Sequence, residues 1–324
     1  MTVRRIALVA VVVLLVAAGV VGVRVVGRED AKEFRWAALG DSYSSGLGEI
    51  RIPVGCARDV EASYVGRAAE LLRLRGHRIT LRFAPCAEAA LDDVLAPQSA
   101  EVPAQIDRVD SSVQVVTLTL GGNDLGFGRI VSSACLVKRY ATQLTAALGL
   151  EAAIARDCGV DADHPGNEGG DEAGWAGIED ELVDVMLALR DKMAPKGHLF
   201  IMTYPLFFAD PAAWTSSTCF GFTVENARAL NLGVIRTGDA IERAARRATT
   251  STNRVRVVDW REHADQTAVW AQHGLCGTDA PWVHGVRTLE AGGLTTSPAN
   301  SFHPTAAGYV AVAELLSKAI GDAL

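Results

Sequence analysis

From about residue 33 onward the chain alternates between two hydrophobic rhythms. Short runs dense in β-branched and aromatic residues read as five strands: FRWAALG (34–40), RITLRFA (78–84), VQVVTLTLG (113–121), HLFIMTYP (198–205) and RVRVVDW (254–260). Several of them run straight into turn residues. The other rhythm spaces apolar positions along one helical face, in YVGRAAELLRLRG (64–76), IEDELVDVMLALRDK (178–192) and VENARALNLGVIRTGDAIERAARRA (224–248). A last helix, PTAAGYVAVAELLSKAI (304–320), opens with Pro304 at its first position, where the missing N–H costs nothing. The alternation predicts an α/β fold in which a mostly parallel five-stranded sheet is covered on both faces. No internal repeat or low-complexity linker divides residues 31–324, which read as one domain. GVDADHPGNEGGDEAGW (159–175) reads as a surface loop.

The first thirty residues form a segment of their own. After MTVRR comes IALVAVVVLLVAAGVVGV (6–23), without a single charge. This length approaches the hydrocarbon thickness of a bilayer, and Arg4 and Arg5 hold the N-terminus on the cytoplasmic side. The same polarity belongs to a secretory signal peptide, for which Ala17–Gly19 offers a small-residue cleavage site. Signal peptide and N-terminal membrane anchor both remain open, and each sends residues 31–324 out of the cytoplasm, either secreted or attached to the membrane through residues 6–23. The six cysteines agree, because no C-x-x-C pair suggests zinc or redox chemistry and an even count in an exported chain reads as disulfides. Pairing in chain order, Cys56–Cys86, Cys135–Cys158 and Cys219–Cys276, is the simplest connectivity. The net charge of −7 and the absence of a basic stripe exclude a nucleic-acid partner.

Ligand sites in parallel α/β sheets lie beyond the carboxyl ends of the strands. At the first strand's exit stands GDSYSSG (40–46), at the third strand's exit GGND (121–124), and before the last helix NSFHPTAAGY (300–309). Gly, Asp and Ser serve any turn, so a turn made of turn formers is one reading of GDSYSSG. The other is that Ser42, Asn123 and His303 share one cleft. A serine hydroxyl needs a base to take its proton, which is work for a histidine. The oxyanion that develops on the attacked carbonyl needs fixed donors, and the Asn123 amide and the Ser42 N–H are available. The G-x-S-x-G elbow is absent, Ser44 standing where its second glycine belongs.

In order and spacing, GDSYSSG, GGND and HP resemble the SGNH (GDSL-type) hydrolase superfamily, above all its secreted six-cysteine actinobacterial esterases and lipases. AQHGLCGTDAPWVHGV (271–286) resembles a segment of those enzymes too. The resemblance implies a three-layer α/β/α flavodoxin-like sandwich and a serine ester hydrolase working through an acyl-serine, with no metal or organic cofactor. Carried over by position, Ser42 is the nucleophile, His303 the base and Asn123 an oxyanion donor. Two positions depart from the family. Asn300 stands where an aspartate usually orients the histidine, and its side-chain or backbone oxygen is then the expected acceptor for Nδ1–H, giving a Ser–His dyad or a triad with Asn300. Glu88, in APCAEAAL (84–91), stands where a glycine usually lends its N–H to the oxyanion hole. At about 5 Å and an effective dielectric of ~20 its carboxylate would oppose an oxyanion by roughly 3 kcal/mol, so its side chain is expected to point away.

The remaining candidates carry blander expectations. Asp41 and Asp124 read as caps of local N–H groups, Asp259 as a strand-exit acid, and Ser44 and Ser45 as loop hydroxyls. His263, His273 and His284 lack metal-ligand spacing. YPLFFADPAAWTSSTCFGF (204–222) is an aromatic loop that either walls an acyl pocket or packs as a flap held by Cys219. A monomer acting on small-molecule or lipid esters is expected. The alternatives are an acyltransferase using envelope sugars or lipids as acceptors, and a non-catalytic surface binding protein.

Overall fold

The computed structural model describes residues 31–51, 53–126, 172–216, 219–220, 222–251, 254–261, 272–286 and 298–324. Five strands, β1 (Glu33–Ala38), β2 (Arg78–Phe83), β3 (Val115–Thr119), β4 (His198–Met202) and β5 (Val255–Val258), form one all-parallel sheet in the order β2-β1-β3-β4-β5. This is the flavodoxin-like order, and its switch point between β1 and β3 opens a crevice at their carboxyl ends. Every residue of the central strand β3 is buried, which is why its sequence is a continuous apolar run rather than an alternation. The edge strand β2 instead interleaves Arg78 and Arg82, charges that discourage further strand pairing.

Helix α1 (Ser42–Ser45) is a single turn after β1. The long helices are α2 (Tyr64–Leu74), α3 (Glu172–Lys192), α4 (Val224–Ala248) and α5 (Ala306–Gly321). Helix α2 packs on α5 and α3 on α4, one pair for each face of the sheet. Their starts are chemically marked: Ser63 caps α2, Thr223 and Asn226 close a reciprocal capping box on α4, and Thr305 caps α5. Two expectations are corrected here. Pro304 precedes the α5 cap rather than opening the helix, and its segment bridges to Val283. The end of the supposed loop 159–175 belongs to α3, which begins at Glu172.

Disulfides join Cys56 to Cys86 and Cys219 to Cys276, two of the chain-order pairs. Cys135, Cys158, His263 and the apolar run 6–23 lie outside the described residues. Among the described residues no helix is long and apolar enough to cross a membrane.

The Cys56–Cys86 bridge closes a loop of 30 positions and anchors the turn that carries Glu88. Chain-entropy arguments give such a loop about 3.5 kcal/mol of stability. Replacing both cysteines with serine is expected to lower unfolding free energy by about 3 kcal/mol in denaturant titrations, with the m-value rising as the unfolded chain loses its cross-link.

Candidate active site

The first strand delivers its turn through Gly40, whose φ of +123° places it where a side chain is strained. A Cβ there would also stand 2.6 Å from the Thr119 carbonyl oxygen, so the backbones of β1 and β3 can approach this closely only with glycine. Gln105 clasps both polar atoms of Gly40, accepting from its N–H at 2.6 Å and donating to its carbonyl at 3.0 Å. Next, Asp41 caps the helical turn by accepting from the Tyr43 N–H, and α1 begins at Ser42. Ser44 meets the Tyr64 hydroxyl and the Ser45 hydroxyl donates to the Ser42 carbonyl, as loop hydroxyls do.

Across the crevice, His303 Nε2 lies 2.7 Å from Ser42 Oγ. The other ring nitrogen, Nδ1, lies 3.1 Å from the Ser301 carbonyl oxygen. A carbonyl can only accept, so Nδ1 carries the proton and Nε2 offers its lone pair to the serine hydroxyl. Burial pushes the His303 pKa down to about 4; the Ser301 and Ala299 carbonyls act against that shift and His284 adds to it. Ser42 itself is 8% exposed.

The expectation that Asn300 orients the histidine is corrected. Its amide nitrogen faces away, toward the carbonyls of Leu47 (2.7 Å), Gly48 (2.8 Å) and Ile50 (3.0 Å). Its backbone carbonyl accepts from the His303 N–H rather than from the ring. Asn300 is therefore a cinch between two loops, and Ser301, which no sequence signal marks, supplies the acceptor for Nδ1–H.

The three candidate oxyanion donors sit at the exits of three adjacent strands. Asn123 donates one amide proton to the Ala89 carbonyl at 2.9 Å, which leaves its second proton uncommitted among the described residues. That bond, with Leu91 N–H donating to Asp124 Oδ1 at 3.0 Å, stitches the Glu88 turn to the GGND turn. Glu88 has φ +65°, the left-handed conformation that a glycine adopts freely and that costs other residues roughly 1–2 kcal/mol. Its side chain is exposed, and its backbone N–H has no partner among the described residues. The Ser42 N–H, at the start of α1, is likewise unpartnered.

Other sequence candidates fall elsewhere. Asp259 accepts from Thr203 and pairs with the buried Arg261, which also meets Asp239 and Glu242. His273 stacks on the Trp282 ring at 4.0 Å, and His284 pairs with Glu49 at 3.1 Å. In the aromatic loop Phe207, Phe208 and Phe222 are buried around Phe302, next to the catalytic-candidate histidine. Those three rings pack as a flap; the loop's exposed ring is Phe220.

Installing the acid that the family usually carries is expected to do harm. In Asn300→Asp, the two amide protons shared by three carbonyls are lost and a carboxylate faces them; Leu47 keeps the Ile50 N–H, while Gly48 and Ile50 lose their donor. At about 1–3 kcal/mol for each stranded acceptor, a loss of at least about 2 kcal/mol in unfolding free energy is expected, together with a fall in ester turnover. Thermal unfolding and a p-nitrophenyl ester assay of that variant check both.

The GDSL-like Lipase/Acylhydrolase family matches residues 38–311. The chain is 28% identical over 278 residues to Lipase 1 of Streptomyces coelicolor, covering 84% of this chain and 81% of that protein. It is 26% identical over 283 residues to a lipase of Streptomyces rimosus, with the same coverage. Among solved structures it is similar to the extracellular lipase from Streptomyces rimosus, with TM-score 0.56 and 23% identity, covering 86% of this chain and 97% of that one. It is also similar to phospholipase A1 from Streptomyces albidoflavus, with TM-score 0.55 and 22% identity over 89% of this chain and 99% of the other. With the family match spanning both the Ser42 turn and the His303 segment, the chain belongs to the GDSL-like lipase/acylhydrolase family and is a serine ester hydrolase.

Proposed function

We propose that this protein hydrolyses lipid acyl esters outside the cytoplasm through an acyl intermediate on Ser42, with His303 as general base and acid. The observation that carries the reading is the 2.7 Å contact between His303 Nε2 and Ser42 Oγ, together with the Ser301 carbonyl on the far side of the ring. As Oγ attacks the ester carbonyl, its proton passes to Nε2 and the carbonyl oxygen becomes an oxyanion. The N–H groups of Ser42 and Glu88 and the Asn123 amide are the donors assigned to it. Collapse breaks the bond to the alcohol, which leaves with the proton from Nε2. Water then repeats the sequence and releases the fatty acid. No cofactor enters any of these steps.

The lipid class draws on the curated lipases that the chain resembles. Two disulfides support an extracytoplasmic site of action, reached through the apolar segment 6–23.

Labelling with a fluorophosphonate tests the dyad. Label is expected on the wild type and absent from Ser42→Ala and His303→Ala; a folded, disulfide-intact wild type that takes no label would sink the reading. A series of p-nitrophenyl esters tests the substrate class, with turnover expected to rise from acetate toward longer chains. The base must be neutral to act, and burial holds the His303 pKa near 4. Activity on kcat/KM is therefore expected to persist through pH 5 and to be lost as pH falls through about 4. Complete loss of kcat/KM already by pH 5 would show that the ring is more solvated than its packing implies.

A further inference from the structure

The buried phenol of Tyr204 plays no part in the chemistry just described, yet it stands between the nucleophile turn and the oxyanion turn. Tyr204 follows β4, and its hydroxyl donates to Asp41 Oδ2. The same oxygen accepts from the Gly122 N–H at 3.0 Å. Gly122 immediately precedes Asn123, and Asp41 immediately precedes Ser42. A Cβ on Gly122 would stand 3.1 Å from the Tyr204 hydroxyl and ring, so any side chain there would crowd the phenol. Tyr43, beside the nucleophile, meets the Tyr204 ring edge-on at 5.0 Å.

The protons in this chain run one way: Gly122 N–H to Tyr204, Tyr204 O–H to Asp41. That polarity needs an acceptor at its end. If Asp41 carried a proton on Oδ2, the phenol oxygen would face two donors and its own proton would lose its place.

We propose that Tyr204 is a positioning residue, its hydroxyl aimed by the Asp41 carboxylate so that it holds the Gly122–Asn123 turn with the Asn123 amide set for the oxyanion. This inference rests on the reading of Asn123 as an oxyanion donor. Asp41 makes no ion pair among the described residues; the titratable groups facing it are Asp124 and the hydroxyls of Tyr43, Tyr64, Tyr204 and Tyr309. Burial, opposed by the Tyr204 hydroxyl and the N–H groups of Tyr43 and Ser44, puts its pKa at about 7. The Tyr204 phenol is pushed well above its ordinary range by burial and by Asp41, so it stays a donor. The chain is intact above about pH 7 and broken below it.

The test is a double-mutant cycle with an independent structural readout. Tyr204→Phe is expected to lower kcat on a p-nitrophenyl ester about tenfold, with KM within about twofold, because the donor is misaligned rather than removed. In an Asn123→Ala background the same change is expected to cost less than about twofold. Asp41→Asn, which presents a donor to the phenol, is expected to match Tyr204→Phe and to lose a step in kcat near pH 7 that the wild type shows. Equal losses in both backgrounds, or no loss in either, would overturn the proposal. Hydrogen exchange at the Gly122 amide reads the contact whether or not the protein turns over esters. Its protection is expected to fall at least tenfold in Tyr204→Phe, with the β3 amides unchanged. Unchanged Gly122 protection overturns the proposal even if the fluorophosphonate test succeeds, and lost protection supports the contact even if that test fails.

Discussion

A hydrogen bond between side chains 261 positions apart cannot be maintained by the two side chains themselves. Its small net free energy is far below the entropy of ordering two loops, so the surrounding backbone must set the distance. Ser42 is fixed from the sheet side, by the Gly40–Gln105 clasp and the Asp41 cap. His303 is fixed from three directions. The Tyr43 hydroxyl donates to the Phe302 carbonyl at 2.7 Å, and the Tyr43 ring lies 4.8 Å from the imidazole. The 282–286 segment exchanges N–H···O bonds with Phe302 and His303, and Asn300 ties the approach to the 47–50 loop. Phe207, Phe208 and Phe222 bury Phe302 beneath it. The aromatic loop thus supports the histidine loop by packing, which explains its apolar character without calling on the substrate.

Burial sets the electrostatics as well. Neither Asp41 nor His303 makes an ion pair among the described residues, and desolvation drives each toward its neutral form: the acid up to about 7, the imidazole down to about 4. Their linkage to folding has opposite signs. The stability that His303 contributes is present above 6.5, its ordinary value, and is lost as pH falls toward 4. That of Asp41 is present below 3.8 and is lost as pH rises through 7. Over the shared window from about 4 to 6.5 the two slopes oppose each other, so the site can be dry without making the whole fold acid-labile.

How much of this was legible in the sequence follows from what kind of group does each job. The strands showed because the central sheet is buried on both faces, which demands unbroken β-branched and aromatic runs. Ser42 and Asn123 at strand exits and His303 before the last helix showed because their side chains form a chemically recognisable set in that order. The site of Glu88 showed through the glycine expected there, and its φ of +65° explains that expectation. Ser301 did not show, because a main-chain acceptor has no side-chain signature. The direction of Asn300 was hidden, since an amide can serve a ring or three carbonyls and only the fold decides which. Tyr204 read as one more apolar residue at a strand end. A phenol buried by its ring and employed by its hydroxyl looks the same in sequence as one buried for packing alone.

The missing carboxylate and the depressed histidine belong to one arrangement. An orienting aspartate brings a negative charge, whose burial costs free energy unless hydrogen bonds or a cation offset it. The Ser301 carbonyl orients the ring with a dipole and brings no charge. In the resting dyad both partners are then neutral, in keeping with their burial. In the proposed mechanism the imidazolium and the oxyanion arise together during attack, one positive and one negative, within the same low-dielectric space. Their mutual attraction grows as the charges separate and vanishes when the intermediate collapses, so it favours the transition state over the ground state. Under that mechanism the pocket obtains its electrostatic assistance from the reaction itself and needs from the fold only rigid donors, the part proposed for the stitched turns at β1, β2 and β3.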